Sequence, residues 1–243
     1  MNKFMSNHKI QVAALIPAAG IGSRMKANCP KQYLKVAGKT IIEHTISALL
    51  KQPRISEIIV SLNNHDIFFH QLLISKNPKI KTVTGGCQRA DSVLAGLNYL
   101  SDNLQLDLPC WVLIHDAARP CLDQSDLDSI IRFIDGQQSS CGGILAAPVR
   151  DTMKRSVQGK IDISHTVDRN ELWHALTPQF FPLLLIKNCL TQVLAQKTVI
   201  TDEASALEYC GYHPQLLESK VNHLKVTQPE DLMLAEFYIS RVL

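Results

Sequence analysis

Two cations bracket a run of small residues near the start of the chain. The run is Pro17-Ala18-Ala19-Gly20-Ile21-Gly22, Arg24 follows it, and Pro30-Lys31-Gln32 comes shortly after. Small side chains leave loop N–H groups able to approach a phosphate or a base. Arg24 and Lys31 add positive charge beside that backbone, a combination suited to holding a nucleoside triphosphate and stabilising charge that builds on phosphorus. A dinucleotide fingerprint would need a third glycine where Met25 stands, and its expected acid some twenty residues on is matched only loosely by Glu43. A Walker loop would need Gly-Lys-Ser/Thr, which is absent here. A plain strand-to-helix turn would account for the glycines but not for Arg24 and Lys31.

Further reactive types recur downstream. Gly85-Gly86-Cys87-Gln88-Arg89-Ala90-Asp91-Ser92 places paired glycines before a predicted helix, so its first N–H groups and Ser92 can meet a polar ligand edge; a routine glycine turn is the alternative. His115-Asp116-Ala117-Ala118-Arg119-Pro120 sets a carboxylate at a strand tip, where it can meet magnesium, a ribose hydroxyl or substrate, with Arg119 as a phosphate fork. A local Asp116–Arg119 ion pair is the simpler reading. Asp151-Thr152-Met153-Lys154-Arg155 and Thr166-Val167-Asp168-Arg169-Asn170 offer hydroxyls and cations for a second anion, or a solvated face. Thr201-Asp202-Glu203-Ala204 reads first as a helix N-terminus with acids where the dipole favours them. Lys225 is expected to end a late strand and face the same crevice as Asp116.

Alternating elements must position these groups. Strands are predicted over 12–17, 57–62, 80–84, 111–115 and 143–149, and helices over 41–51, 66–75, 89–101, 125–135, 182–196, 202–210 and 229–241. Val12-Ala13-Ala14-Leu15-Ile16 is apolar without alternation, as a strand covered on both faces should be. The pattern predicts an α/β fold with a doubly wound, mostly parallel sheet, whose ligands bind beyond the carboxyl ends of the strands. Residues 150–169 break it: this polar excursion reads as a hairpin turning at Gly159, or as an ordinary surface loop. A lone hairpin is marginal in water, so it needs a surface to pack on, and a second subunit is a candidate.

Composition narrows the class. The chain has 243 residues, 46% of them hydrophobic, which suits one large domain with a full core. A net charge of +3 without a basic block gives no reason to expect a nucleic-acid partner. The longest apolar runs are too short to span a bilayer, and no secretory signal is visible at the start. The seven cysteines form no Cys-x-x-Cys pair and the nine histidines no His-x-x-x-His, so reduced thiols and no dedicated metal site are expected.

Taken together, Pro17-Ala18-Ala19-Gly20-x-Gly22-x-Arg24, Pro30-Lys31-Gln32-Tyr33, Arg89-Ala90-Asp91-Ser92, His115 to Pro120, Pro148-Val149-Arg150-Asp151-Thr152 and Thr201 to Ala204 resemble the 2-C-methyl-D-erythritol 4-phosphate cytidylyltransferases. The likeness runs from Val12 to about Arg241. Ribitol 5-phosphate cytidylyltransferases share much of it; Asp168-Arg169-Asn170-Glu171-Leu172-Trp173 with Thr177-Pro178-Gln179 favours the methylerythritol branch. The resemblance implies a Rossmann-like nucleotidyltransferase domain over 1–243, a dimerisation arm at about 150–170, and transfer of CMP from CTP to the sugar-alcohol phosphate. It implies catalytic roles for Arg24, Lys31, Asp116 and Lys225. CTP would lie against Pro17, Ala18, Ala19, Gly20, Gly22, Gly86, Ser92 and Ala117. Arg119, Thr152, Thr177 and Thr201 would line the acceptor side, with Asp116 and Lys225 beside them, and Arg169 would reach across a homodimer. It also implies Mg²⁺ carried mainly by the CTP phosphates; the reduced thiols expected from the cysteine pattern point to a cytoplasmic location. Cys87 departs from the Asp that family members often carry after the glycine pair, which puts CTP affinity in question. A different polyol phosphate acceptor, a nucleotide-binding regulator without turnover, and a nicotinamide oxidoreductase are the competing readings.

Overall fold

The computed structural model describes residues 10–20, 29–104, 109–136, 138–219 and 223–242. In chain order the elements are β1 (Gln11–Pro17), a 3₁₀ turn (Lys31–Tyr33), β2 (Lys35–Val36), β3 (Lys39–Thr40), α1 (Ile41–Leu50), β4 (Ile55–Leu62), β5 (Ile80–Thr84) and α2 (Arg89–Asn103). There follow β6 (Cys110–Ile114), α3 (Gln124–Asp135), β7 (Gly143–Pro148), β8 (Met153–Ser156), β9 (Ile163–Val167) and β10 (Trp173–Pro182). The last are α4 (Leu183–Ala195), α5 (Glu203–Tyr209), β11 (Gln215–Glu218) and α6 (Asp231–Val242).

Seven strands form one sheet in the order β11-β7-β10-β6-β1-β4-β5. All neighbours are parallel except β10, which runs antiparallel between β6 and β7. The fold is the expected mostly parallel α/β type. β1 pairs with β4 on one side and β6 on the other, so the strand order reverses at β1. That reversal opens a crevice at the carboxyl ends of β1 and β6, where open α/β sheets bind ligands.

Successive β1 side chains point to opposite faces. Val12, Ala14 and Ile16 pack with the apolar sides of α1 and α3, while Ala13 and Leu15 pack with α2 and α4. Leu15 and Ile16 are fully buried, each contributing about 1.5–3 kcal/mol. Gly96 lets α2 lie close on β1, because a Cβ there would sit 2.2 Å from Leu15 Cδ1. A third cluster, including Val36, Cys121, Val226 and Ile239, fixes α6 and the chain before it. Among the described residues no helix is long and apolar enough to cross a membrane.

Four expectations need revision. Residues 66–75 form not a helix but two 3₁₀ turns, Phe69–Gln71 and Leu73–Lys76, because Asp66 Oδ1 takes the Phe68 and Phe69 N–H groups and starts a tight turn. β10 has no counterpart among the predicted strands; its apolar run Phe180-Phe181 leads into α4 without a break in hydrophobicity. The short β2–β3 hairpin was also not predicted. Lys225 does not end a strand: the late strand is β11, and the backbone around Lys225 bonds to side chains and to Ala118 instead of a ladder. The 150–169 excursion is a hairpin as expected, β8 pairing antiparallel with β9 and Gly159 in the left-handed region at φ +73°.

Candidate active site

The crevice beyond β1 and β6 encloses about 650 Å³, counting solvent at its mouth, a size suited to a nucleotide. One wall is the loop Ala18–Gly20. Its shape is held by Gln32, whose buried amide donates to the Ala18 carbonyl at 2.8 Å and to the Gly20 carbonyl at 3.2 Å. Among the described residues a Cβ on Gly20 would meet nothing within 4 Å. The opposite wall is Gly86–Gln88, where the Gly86 N–H donates to Ser92 Oγ at 3.1 Å. Asp91 closes the start of α2 by accepting the Gln88 N–H at 3.0 Å, and a Cβ on Gly86 would fall 2.2 Å from Asp91 Cβ.

At the floor stands Asp116, 7% exposed. Its Oδ1 takes Arg89 Nε at 3.1 Å, and its Oδ2 takes Lys225 Nζ at 2.8 Å and Arg119 Nε at 3.4 Å. Burial alone would raise its pKa. Arg89, Lys225 and Arg119 outweigh that and hold the carboxyl well below the usual range, so it is ionised. Arg89 forms a fork on Glu203, Nη1 to Oε1 and Nη2 to Oε2, the second at 3.0 Å. Glu203 is 1% exposed, and burial raises its pKa despite Arg89. These three cations face two carboxylates, which leaves positive charge over, and Lys31 lines the same crevice. Lys31 Nζ donates to the Val226 carbonyl at 3.1 Å.

Behind Asp116 lies a chain of neutral hydrogen bonds. The Asp116 N–H donates to Thr177 Oγ1 at 3.2 Å, and Thr177 meets His115 Nδ1 at 2.9 Å. His115 Nε2 lies 3.0 Å from the Arg119 carbonyl, an obligate acceptor, so that nitrogen carries the proton and the Thr177 hydroxyl donates to Nδ1. Burial pushes the His115 pKa down to about 3, against the pull of the Arg119 carbonyl. The imidazole is neutral and serves to aim Thr177.

The sequence profile of the 2-C-methyl-D-erythritol 4-phosphate cytidylyltransferase family matches residues 12–241. The chain belongs to that family. A protein of that name from Photorhabdus laumondii is 58% identical over 99% of this chain and all of its own length. An Escherichia coli protein of the same name is 54% identical over 98% of both chains. A crystal structure described as 4-diphosphocytidyl-2C-methyl-D-erythritol synthase superposes with a TM-score of 0.80 at 34% identity, over 95% of this chain and 99% of the other.

Of the residues that family likeness singled out, the fold gathers Pro17, Ala18, Ala19, Gly20, Lys31, Gly86, Ser92, Asp116, Ala117 and Lys225 around one crevice. Cys87 lines it too, exposed. Gly22 and Arg24 lie outside the described residues. Arg119 and Thr177 sit one layer back, their polar groups engaged by Asp116, His115 and the His223 carbonyl. Thr152, Arg169 and Thr201 are exposed and away from the crevice lining; Arg169 Nη1 donates to the Arg150 carbonyl of its own arm. The helix N-terminus at Asp202 is real: its Oδ1 accepts the Ser205 N–H at 3.0 Å. Glu203 does more than complement a dipole, since it is the buried partner of Arg89.

Three positioning groups stood inside the quoted motifs without a role assigned to them. Arg89 had a signal of its own: a cation as the first residue of a helix opposes the dipole and asks for an acidic partner. Gln32 and Gln179 had no comparable local signal. Gln179, 1% exposed, donates to Asp202 and accepts the Ala204 N–H, and so locks the start of α5 under Arg89.

Proposed function

We propose that this chain transfers CMP from CTP to 2-C-methyl-D-erythritol 4-phosphate, releasing pyrophosphate and 4-diphosphocytidyl-2-C-methyl-D-erythritol. The observation that carries this reading is the cationic crevice at the strand-order reversal, with Lys31 and Lys225 entering from opposite parts of the chain and both fixed by hydrogen bonds. CTP lies with its base between the Ala18–Gly20 loop and the Gly86–Ser92 turn and its triphosphate toward Lys31 and Arg24. Backbone groups at one base edge exclude a purine by size and uracil by hydrogen-bond pattern. The acceptor phosphate approaches from the side of Asp116, Arg119, Thr152, Thr177, Thr201 and Lys225.

The acceptor phosphate is already anionic, so the reaction needs no general base. One of its oxygens bonds to the α-phosphorus of CTP as the bond to pyrophosphate breaks. Lys31 and Arg24 stabilise the charge that gathers on the phosphoryl oxygens, and Lys225, held by Asp116, orients the attacking group. Among the described residues no three His, Cys, Asp or Glu side chains converge, and both Asp116 oxygens are taken by cations of the chain. Magnesium would enter with the nucleotide substrate, carried mainly by the CTP phosphates.

The same reading makes the whole chain one nucleotidyltransferase unit that works in the cytoplasm as a homodimer joined through the arm. The arm exposes Ile161 and Ile163 at 100% and 65%, apolar surface that a second subunit would cover. Arg169 then serves the partner's acceptor phosphate.

The test is magnesium-dependent pyrophosphate release from CTP with 2-C-methyl-D-erythritol 4-phosphate or ribitol 5-phosphate as acceptor. Release with the first alone is expected. Release with ribitol 5-phosphate instead would move the acceptor to the polyol branch, and CTP binding without turnover on either would leave only a nucleotide-binding role.

A further inference from the structure

The cations of the crevice do not hold themselves in place. A strap of chain, residues 223–228, links α3 to α6, carries Lys225, and meets Lys31 of the crevice and Arg119 behind it. The His223 carbonyl accepts Arg119 Nη1 at 2.6 Å, the Val226 carbonyl accepts Lys31 Nζ at 3.1 Å, and Lys225 reaches Asp116. The Val226 N–H donates to the Ala118 carbonyl at 2.8 Å, which ties the strap to the loop after β6. An error in the strap's position would therefore reach Lys31, Arg119 and Lys225 together.

Two carboxylates anchor the strap from outside the crevice. At its far end Asp231, the first residue of α6, accepts the Thr227 and Gln228 N–H groups at 2.7 and 2.9 Å. At its near end Asp126 of α3, 6% exposed, uses one oxygen for two bonds: His223 Nε2 at 2.6 Å and Ser219 Oγ at 2.7 Å. The His223 ring is 0% exposed, and its Nδ1 is buried with no hydrogen-bond partner among the described residues. An unmet buried polar atom is costly, and an apolar side chain of similar size would avoid that cost. What the imidazole supplies is the bond to Asp126.

Resting on the cytidylyltransferase reading, we infer that Asp126 and His223 are positioning residues for the reaction: they fix the strap and, through it, Lys31 on the phosphoryl side and Arg119 and Lys225 on the acceptor side. Neither side chain lines the crevice. Misplacing reacting groups by about 1 Å costs on the order of a hundredfold in rate, so the effect belongs in turnover more than in CTP affinity.

The experiment compares Asp126→Leu, Asp126→Asn and a control, Gln52→Leu, which cuts another side-chain bond to the same helix, Gln52 Nε2 to Asp128 Oδ1 at 2.8 Å. Asp126→Leu is expected to lower kcat about tenfold to a hundredfold with the KM for CTP within about threefold. Asp126→Asn keeps a carbonyl oxygen that can accept both bonds, and should retain about a third or more of kcat. Gln52→Leu should lower Tm comparably and leave kcat at the parent value. A readout free of turnover runs alongside: amide hydrogen exchange at Val226 should accelerate about tenfold in Asp126→Leu and not in Gln52→Leu. Should Asp126→Leu fail to fold, His223→Leu removes the same bond while leaving Asp126 its serine, with the same expected results. Parent kcat together with parent exchange at Val226 overturns the inference. So does a loss of turnover without faster exchange, or an equal loss in the control. A parent chain inactive with both acceptors would count against the function reading alone, because the exchange comparison does not depend on turnover.

Discussion

The crevice and the arm are both rich in charge and hydroxyls, yet they are built in opposite ways. Asp116, Glu203, Gln32, Thr177 and Gln179 are buried, and each has a partner from another element or loop of the chain. In the arm all four residues of β8 are exposed, and β9 is nearly so. Its Lys154 Nζ to Thr166 Oγ1 bond, at 2.7 Å, joins two residues that already face each other across the hairpin. The crevice is thus positioned by its own chain, through bonds in low dielectric that cost free energy when one partner is lost. The arm has a conformation but no core, so any role it has must be completed by something it packs on.

The sharpest break in the comparison comes from Lys31→Ala. A cation aimed at charge that develops only in the transition state should cost about 10²–10³ in kcat, with the KM for CTP little changed. Equal losses in both constants would make Lys31 a simple ground-state contact.

Glu203→Ala comes next. It leaves Arg89 without its fork and weakens the hold on Asp116, so both stability and activity should fall. We expect about 2–3 kcal/mol of stability lost, discounted because the Arg89 side chain is 32% exposed, and about tenfold in kcat/KM. Denaturant unfolding and steady-state kinetics read the two effects; a variant unchanged in both would sink the argument that Arg89 needs its acid.

The third test uses pH. His115 titrates at about 3 in the folded chain, far below its ordinary value, because it is buried. The unfolded chain therefore binds a proton that the folded chain refuses, and stability falls as pH drops from about 6.5 toward 3, by up to about 1.4 kcal/mol per pH unit. Asp116, Arg119 and His223 are the charged and titratable groups acting on it. Asp116, shifted down, keeps its contribution until pH falls below the ordinary carboxylate range; Glu203, shifted up, binds its proton earlier and opposes the loss. Replacing His115 by Asn should flatten the slope measured in urea melts between pH 7.5 and 5, and parallel slopes would refute the assignment.

The smallest stability effect belongs to the arm. Arg169→Ala should leave Tm within about a degree, since exposed substitutions shift stability by under about 0.5 kcal/mol, while raising the KM for the acceptor. Mixing subunits carrying Lys31→Ala with subunits carrying Arg169→Ala should restore part of the activity. No recovery would mean that the arm serves its own crevice or none.

Much of this was legible in the chain. β1 announced itself by five apolar residues without alternation, and α2 by the glycine pair that precedes it. Lys31, Asp116 and Lys225 were picked out by type and motif, and they converge. What escaped was of two kinds. β10 and the 3₁₀ turns at 66–76 are local choices that tertiary context overrode: Phe180-Phe181 runs on into a helix of the same hydrophobicity, and one Asp66 carboxylate rewrote a helix-like stretch.

The second kind was not local at all. Residue types near one another in sequence determined the strand–turn–helix order, the mostly parallel sheet and the choice of Lys31 and Lys225 as crevice cations, because periodicity, glycine turns and short motifs act over a few residues. Which acid answers which base was decided only by the fold. Arg89 and Glu203 are 114 residues apart, Lys31 and Val226 are 195 apart, and Asp126 and His223 are 97 apart. Such pairs form because the sheet brings distant strand ends to one edge and burial there leaves each polar group dependent on whichever partner the topology supplies.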